Sequence, residues 1–290
     1  MIFVLDSDFR RNDNMKLCTG EHTMAMTADA LADKIQQGHK VEATDEMPAE
    51  YREALVNLMM QQADSELSGA YGYVPWIEKA PNIHEKLLVA QIVKDEVNHA
   101  YRMFNLLEEL GEPMEERIRK MDEQLKMRID PDADNIGSQR VADDKRVNIF
   151  YYPIESWTDF IMFNFCMDRG AGHQLEDALD CSYAPWCRTI KGIFKEEMMH
   201  VNHGDTWVKK LASDPATKAE VQDALNRWYP RTMNIFGRPG SRKNVVYQKF
   251  RLKQRDNDEV RNAFKADIEK SLEGTGLSLP EWIPDYDESV

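Results

Sequence analysis

The sequence predicts an all-α chain built around a four-helix bundle, and three observations lead there. Long helical stretches with recognisable starts and stops fill residues 47–236. Two of them carry the same motif, Glu96-Val97-Asn98-His99 and Glu197-Met198-Met199-His200. Each motif follows a lone acid on the preceding helical stretch, at separations of 30 residues (Glu66 to Glu96) and 29 residues (Asp168 to Glu197).

Residues three apart on a helix share a face, so Glu-x-x-His aims a carboxylate and an imidazole at one place. An antiparallel helix pair with a short turn brings the earlier acid to the same place, and two such pairs enclose a dinuclear metal cage. In ferritin-like carboxylate bundles two helices give one acid each and two give Glu-x-x-His. The fold class therefore reads as a ferritin-like four-helix bundle with additional helices and terminal arms. The candidate metal ligands are Glu66, Glu96, His99, Asp168, Glu197 and His200, and the four carboxylates among them are the candidate catalytic groups. This donor set suits two iron ions, cycling between Fe2+ and Fe3+, with manganese the other choice. A structural zinc would take four closed ligands, often thiolates. With 51 acids and 7 histidines in 290 residues, about one acid falls three before a histidine by chance, so the repeat carries the argument. Asp168 also ends the apolar run Phe160–Met167, where a buried ionised acid needs a cation.

In chain order, residues 1–46 are polar and read as an N-terminal arm with one helix at 27–37. The bundle is expected over 47–236. A helix at 49–70 carries Glu66, a turn-rich segment holds Tyr71-Gly72-Tyr73-Val74-Pro75-Trp76 and Pro81, and a helix at 83–110 carries Glu96 and His99 until Gly111 and Pro113 stop it. A helix near 113–128 leads to Asp130-Pro131-Asp132-Ala133-Asp134-Asn135-Ile136-Gly137, which is loop chemistry. The second half repeats the plan with a helix at 155–180 carrying Asp168, a break at Pro185 and a helix to 212 carrying Glu197 and His200. Helices at 216–234 and 256–273 follow, and residues 237–290 read as a basic segment, a helix and a tail packed on the bundle.

A hydrophobic content of 42% is enough for a substantial core, and the net charge of −14 argues against nucleic acid or an anionic membrane as the partner. Cys18, Cys166, Cys181 and Cys187 form no Cys-x-x-Cys pair and read as reduced thiols. The opening Met1-Ile2-Phe3-Val4-Leu5 is too short for a signal sequence, and no apolar run spans a bilayer, so a cytoplasmic protein is expected.

Around the ligands, Asp95 and Glu196 each stand four residues before a histidine, where either can accept from an imidazole N–H on its own or the facing helix. Phe160, Phe163 and Phe165 have core packing as their ordinary role, while Asn164 is more pointed because a buried amide wants a partner. Gly170-Ala171-Gly172 weakens its helix in exchange for substrate room or, as the better reading, close helix contact. His173 and His203 read as surface or satisfied core histidines.

Glu66, Asp95-Glu96-x-x-His99, Asp168 and Glu197-x-x-His200, with Met47-Pro48-x-x-Tyr51-Arg52 and Trp76-Ile77-x-x-Ala80-Pro81, resemble the catalytic A subunits of ring-1,2-phenylacetyl-CoA epoxidases. Asp168-Arg169 through Gln174-Leu175 and Glu196-Glu197-Met198-Met199-His200 look more like the oxygenase components of benzoyl-CoA 2,3-epoxidases. Both belong to the ferritin-like diiron aromatic acyl-CoA epoxidase family, and the resemblance runs over residues 44–285. It implies Glu66, Glu96 and His99 on one iron and Asp168, Glu197 and His200 on the other, with Glu96 as a bridge. One position departs: Ile92 stands where the phenylacetyl-CoA enzymes carry a lysine four residues before the bridging glutamate.

The resemblance further implies an O2-dependent monooxygenase that inserts one oxygen atom into an aromatic acyl-CoA thioester by epoxidation or hydroxylation. The same cage would serve a diiron oxidase on a non-CoA substrate, such as an arylamine N-oxygenase or a desaturase, or less directly an iron-binding or scaffold protein. Arg238, Arg242, Lys243, Lys249, Arg251, Lys253 and Arg255 form a run without an acid, and Arg251 and Lys253 are its candidates for holding the phosphates of coenzyme A. Electrons are expected from a separate NAD(P)H-dependent reductase. A homologous scaffold subunit, or a second copy of the chain, is the expected protein partner.

Overall fold

The computed structural model describes residues 26–119 and 145–284, and every regular element among them is helical apart from one isolated parallel bridge between Val41 and Tyr183. The chain start with Cys18, the loop at 130–137 and the last six residues lie outside the described residues. Helix α1 (Ala28–Gln36) is capped by the Thr27 hydroxyl, which accepts from the Ala30 N–H. Helices α2 (Ala49–Lys79) and α3 (Ile83–Glu109) form a long antiparallel hairpin. Of the helix expected near 113–128, the described residues 114–119 are largely helical.

Helix α2 runs nine residues beyond its expected end at 70. Gly69, Gly72 and Pro75 all lie inside it, and each costs helix stability, about 1 kcal/mol for Gly and about 3 for Pro. Tertiary packing overrides that cost: Tyr73 and Trp76 are buried, with Tyr73 edge-on to Phe160 and Phe163 at centroid distances of 5.1 and 5.5 Å. The turn falls instead at Ala80-Pro81-Asn82, where the Asn82 side chain accepts from the Glu85 N–H at 3.0 Å and starts α3.

The single helix expected at 155–180 is interrupted in register. Helix α4 (Trp157–Phe163), capped by Ser156, passes through a π turn (Asn164–Asp168) into α5 (Arg169–Ala178). The break expected around Pro185 falls between Ala178 and Ala184, and Pro185 itself sits in the first turn of α6 (Ala184–Ser213), where its missing N–H costs nothing. Helix α7 (Lys218–Met233) follows, then α8 (Arg242–Lys249), which was not expected from sequence, and α9 (Asn257–Ser271) behind an Asp256/Glu259 capping box.

Helices α2, α3, α4–α5 and α6 form the bundle, and two apolar clusters pack along it. One contains Tyr51 to Leu67 on α2, Ala100 to Leu107 on α3, Leu175 and Ala178 on α5, and Trp186 to Ile193 on α6. The other contains Tyr73 and Trp76, Val89 and Ile92, Phe160 to Met167, and Trp207 and Val208 on the same helices. Glu96 and His99, Asp168, and Glu197 and His200 fall in the gap between clusters, and Glu66 sits at its edge. The fold thus places one buried polar layer between two greasy ones, and the ligand motifs occupy it.

Candidate metal centre

The six candidate ligands converge. Donor atoms of Glu66, Glu96, His99 and Glu197 lie within 4.8 Å of one another, as do those of Glu96, Asp168, Glu197 and His200. Two carboxylates, Glu96 and Glu197, belong to both groups, so a bridging position is open to Glu197 as well as to the expected Glu96. His99 Nδ1 stands 3.4 Å from Glu66 Oε2 and 3.1 Å from Glu197 Oε1. His200 Nδ1 stands 3.2 Å from Glu96 Oε1, 3.6 Å from Glu197 Oε2 and 4.0 Å from Asp168 Oδ2. All six side chains are buried, and both imidazoles have no exposed surface at all.

A pair of divalent cations fits this donor set. The Nδ1 atoms of His99 and His200 are buried without a hydrogen-bond partner, each aimed at carboxylates of the cluster. Four buried carboxylates around two such nitrogens demand positive charge from somewhere. With no cation, protons take that part. Burial, helped by the Glu197 charge, pushes Asp168 up to about 7 and Glu96 well above the carboxylate range. Glu197 is held down to about 2 because His200 and His99 outweigh its burial. Burial opposes protonation of His99, but the Glu197 and Glu66 carboxylates beside its Nδ1, which accept a hydrogen bond from the protonated ring and carry negative charge, lift it to about 11.

Asp95 and Glu196 meet histidines across the helix interface rather than on their own helices. Glu196 Oε2 lies 2.8 Å from His99 Nε2, and Glu196 Oε1 takes Arg102 Nη2 at 3.3 Å. Asp95 Oδ2 faces His200 Nε2 at 3.7 Å, longer than a hydrogen bond, while its Oδ1 accepts from Gln91 at 2.7 Å. Asn164 is fully buried and its amide donates to Asp168 Oδ2.

Two supporting residues escaped the sequence reading. The Tyr73 hydroxyl donates to Asp168 Oδ1 at 2.9 Å, and Gln62 Nε2 donates to Glu66 Oε1 at 3.0 Å while its own carbonyl accepts from Trp186 Nε1 at 3.0 Å. Tyr73 stands seven after Glu66 and Gln62 four before, so helical spacing alone puts both on the ligand face. The turn assigned to 71–76 hid the first of them.

Of the two expected glycines, Gly170 is a close contact, where a Cβ would lie 2.8 Å from Ile235 Cδ1, whereas one on Gly172 would meet only Met198 Cε at 3.4 Å. Gly204 is a further close contact, with a Cβ 2.8 Å from Phe165 Cα. Ile92 is fully buried. His173 bonds Asp267 at 3.2 Å and is not part of either donor group. Cys166, Cys181 and Cys187 are buried and unpaired. No helix among the described residues is long and apolar enough to cross a membrane.

Arg251 and Lys253, the candidates for phosphate binding, also have partners within the chain. Arg251 adopts a left-handed φ of 47°, its carbonyl accepts from Ser182 N–H at 2.9 Å, and its guanidinium bonds Asp180 at 3.1 Å. Lys253 Nζ bonds Asn257 at 3.0 Å. Their neighbours do likewise, Lys249 with Asp29 and Glu50 and Arg255 with Asp177 and Glu176. The run holds no acid because the acids it meets come from α1, α2 and the end of α5.

A family model described as phenylacetic acid catabolic protein matches residues 24–289. The A component of 1,2-phenylacetyl-CoA epoxidase from Escherichia coli (strain K12) is 30% identical over 255 residues, covering 86% of this chain and 75% of that protein. Benzoyl-CoA oxygenase component B of Aromatoleum evansii is 25% identical over 235 residues, covering 74% of this chain and 47% of that protein, so the chain spans about half of its length. A solved structure, protein 19 with aldehyde deformylating oxidase activity from Synechococcus, aligns with a TM-score of 0.46 at 14% identity, covering 79% of this chain and 93% of the other.

Proposed function

The chain belongs to the phenylacetic acid catabolic protein family, and from that premise we propose that it is an O2-dependent diiron monooxygenase of aromatic acyl-CoA thioesters. The observation that carries this reading is the convergence of Glu66, Glu96, His99, Asp168, Glu197 and His200 into two overlapping buried groups. The names of the two relatives, a phenylacetyl-CoA epoxidase and a benzoyl-CoA oxygenase, support an aromatic thioester as the substrate class.

Two irons held by these six residues would supply dioxygen activation, which side chains alone do not provide. The chain's own part is to bind, orient and exclude. Glu96 and Glu197 stand between the two histidines and can span both ions. His99 and His200 offer Nδ1 inward, and for His99 the outward Nε2 is fixed on Glu196. Tyr73 and Asn164 restrain Asp168 on both of its oxygens. Phe160, Phe163, Trp76 and Trp157 pack on one side of the polar layer and keep bulk water from it.

The balance is one aromatic ring, one O2, two electrons and two protons giving one ring epoxide and one water. A separate NAD(P)H-dependent reductase is the source of the electrons in this reading. A second reading keeps the cage and changes the substrate to one without CoA, such as an arylamine; it stays open because Arg251 and Lys253 already meet Asp180 and Asn257 within the chain.

The test supplies the reduced, iron-loaded protein with phenylacetyl-CoA, benzoyl-CoA, the free acids and an arylamine under 18O2. A thioester product heavier by one labelled oxygen is expected. Labelled arylamine product with unchanged thioesters would replace the first reading by the second.

A further inference from the structure

Beyond Asn164 the hydrogen bonding does not stop. Asn164 Oδ1 lies 3.0 Å from His203 Nδ1, and His203 Nε2 lies 3.0 Å from Glu85 Oε2. Asn164 is 0% exposed, Glu85 7% and His203 8%. The three come from separate elements: Asn164 opens the π turn, His203 sits on α6 one turn after His200, and Glu85 is in the first turn of α3. Each is brought in by a local device. Gly204 lets α6 lie against the π turn, where a Cβ would stand 2.9 Å from Phe165 N and 3.0 Å from Asn164 Oδ1. The Asn82 cap fixes the turn that carries Glu85.

We propose that His203 and Glu85 are positioning residues for Asp168, acting through the Asn164 amide. The inference rests on the dimetal reading of the cluster. An amide has one donating end and one accepting end, and only one orientation of Asn164 serves a metal-binding carboxylate. With its nitrogen toward Asp168 it donates; turned over, it would set its oxygen against the carboxylate. In the tautomer with its proton on Nδ1, His203 donates to Asn164 Oδ1 and selects the first orientation, and the Nε2 contact with Glu85 then takes one further proton held between ring and carboxyl group. Glu85, on the opposite ring nitrogen, keeps the imidazole from rotating away. Asp168 Oδ1 is already taken by Tyr73, so the chain fixes the second oxygen and leaves Asp168 a single placement toward the His200 side of the cage. A histidine that only filled the core would need no such sequence of donors and acceptors ending on a ligand.

Cobalt(II) titration of the metal-free full chain, read by visible absorption of the bound ion, separates these cases. The wild-type protein should take up two cobalt ions, and Asp168→Ala identifies the site on the His200 side by its loss. His203→Phe and Asn164→Leu should each weaken that same site about 10- to 100-fold. The double variant should lose no more than Asn164→Leu alone, because the two act through one bond. His203→Gln, whose amide N–H can reach Asn164 Oδ1, should recover most of the affinity. Glu85→Gln keeps size and shape, so it reports on the same site where a bulkier change disturbs folding, and a several-fold weakening is expected. Unchanged cobalt affinity in Glu85→Gln together with additive losses in the double variant would overturn the proposal. A wild-type chain that binds no cobalt pair would overturn the dimetal reading itself, a distinct result.

Discussion

The two halves of the cage use matching ligands at matching spacing yet hold them differently. Glu66 lies on an unbroken α-helix, and one of its oxygens receives a hydrogen bond from half-buried Gln62. Asp168 ends a π turn and has a donor on each oxygen, Tyr73 on one and Asn164 on the other. Aspartate also has one fewer rotatable bond than glutamate. The Asp168 half is therefore fixed, and the Glu66 half keeps a long side chain with one tether. The histidines differ in the other sense, His99 bonded firmly to Glu196 at 2.8 Å and His200 facing Asp95 at 3.7 Å. A repeat in sequence thus encodes two positions of unequal freedom, with Glu66 the less restrained of the two acids.

The largest expected effects come from removing what the halves share. Glu197→Ala deletes a donor from both groups, so metal analysis after iron loading should find neither equivalent retained. Glu66→Ala and Asp168→Ala should each cost one equivalent. If Glu197→Ala lost only one, the shared position assigned to this carboxylate would be wrong.

Outer contacts come next and sharpen the contrast directly. Tyr73→Phe removes a fully buried donor from Asp168 and should weaken metal binding on that side about 10- to 100-fold. Gln62→Leu removes a donor that water can partly replace, so about tenfold or less is expected on the Glu66 side. Equal losses would show that the tethers do not set the asymmetry. Metal uptake should also strengthen as pH rises, because the ions displace protons. Asp168, raised to about 7, and His99, raised to about 11, are protonated below those values in the metal-free protein and must release to bind. Isothermal titration between about pH 6 and 8 should show affinity rising about tenfold per pH unit for each proton displaced.

The convergence of the six candidate ligands was legible because period and spacing on helices are properties of the chain itself. The end of α3 before Gly111 was legible for the same reason, through turn chemistry. What was hidden depended on packing at a distance. Gly72 and Pro75 signal a turn locally, but the aromatic contacts of Tyr73 and Trp76 hold the helix through them, and with that helix comes the Tyr73 hydroxyl on Asp168. The π turn lies where α6 comes close to the Phe165 backbone at Gly204, a contact remote in sequence. His203 read only as a surface or satisfied core histidine because its partners lie 39 and 118 residues away in sequence. The acids that pair with the basic run were hidden in the same way, being equally remote in sequence.

Smaller effects separate the halves through their glycines. Gly204→Ala puts a methyl against the backbone of Phe165, which has no flexible end to move, so about 1–3 kcal/mol of stability should be lost in urea unfolding. Gly69→Ala is milder. Its methyl would stand 3.2 Å from Glu96 Oε2, the end of a side chain, and alanine returns up to about 1 kcal/mol of helix propensity. The two terms nearly cancel, so unfolding midpoints should match wild type. The displaced Glu96 oxygen should nevertheless register in the cobalt spectrum, since that carboxylate belongs to both donor groups. A large loss of stability in Gly69→Ala would mean that Glu96 cannot give way, and that the shared carboxylates are as fixed as Asp168.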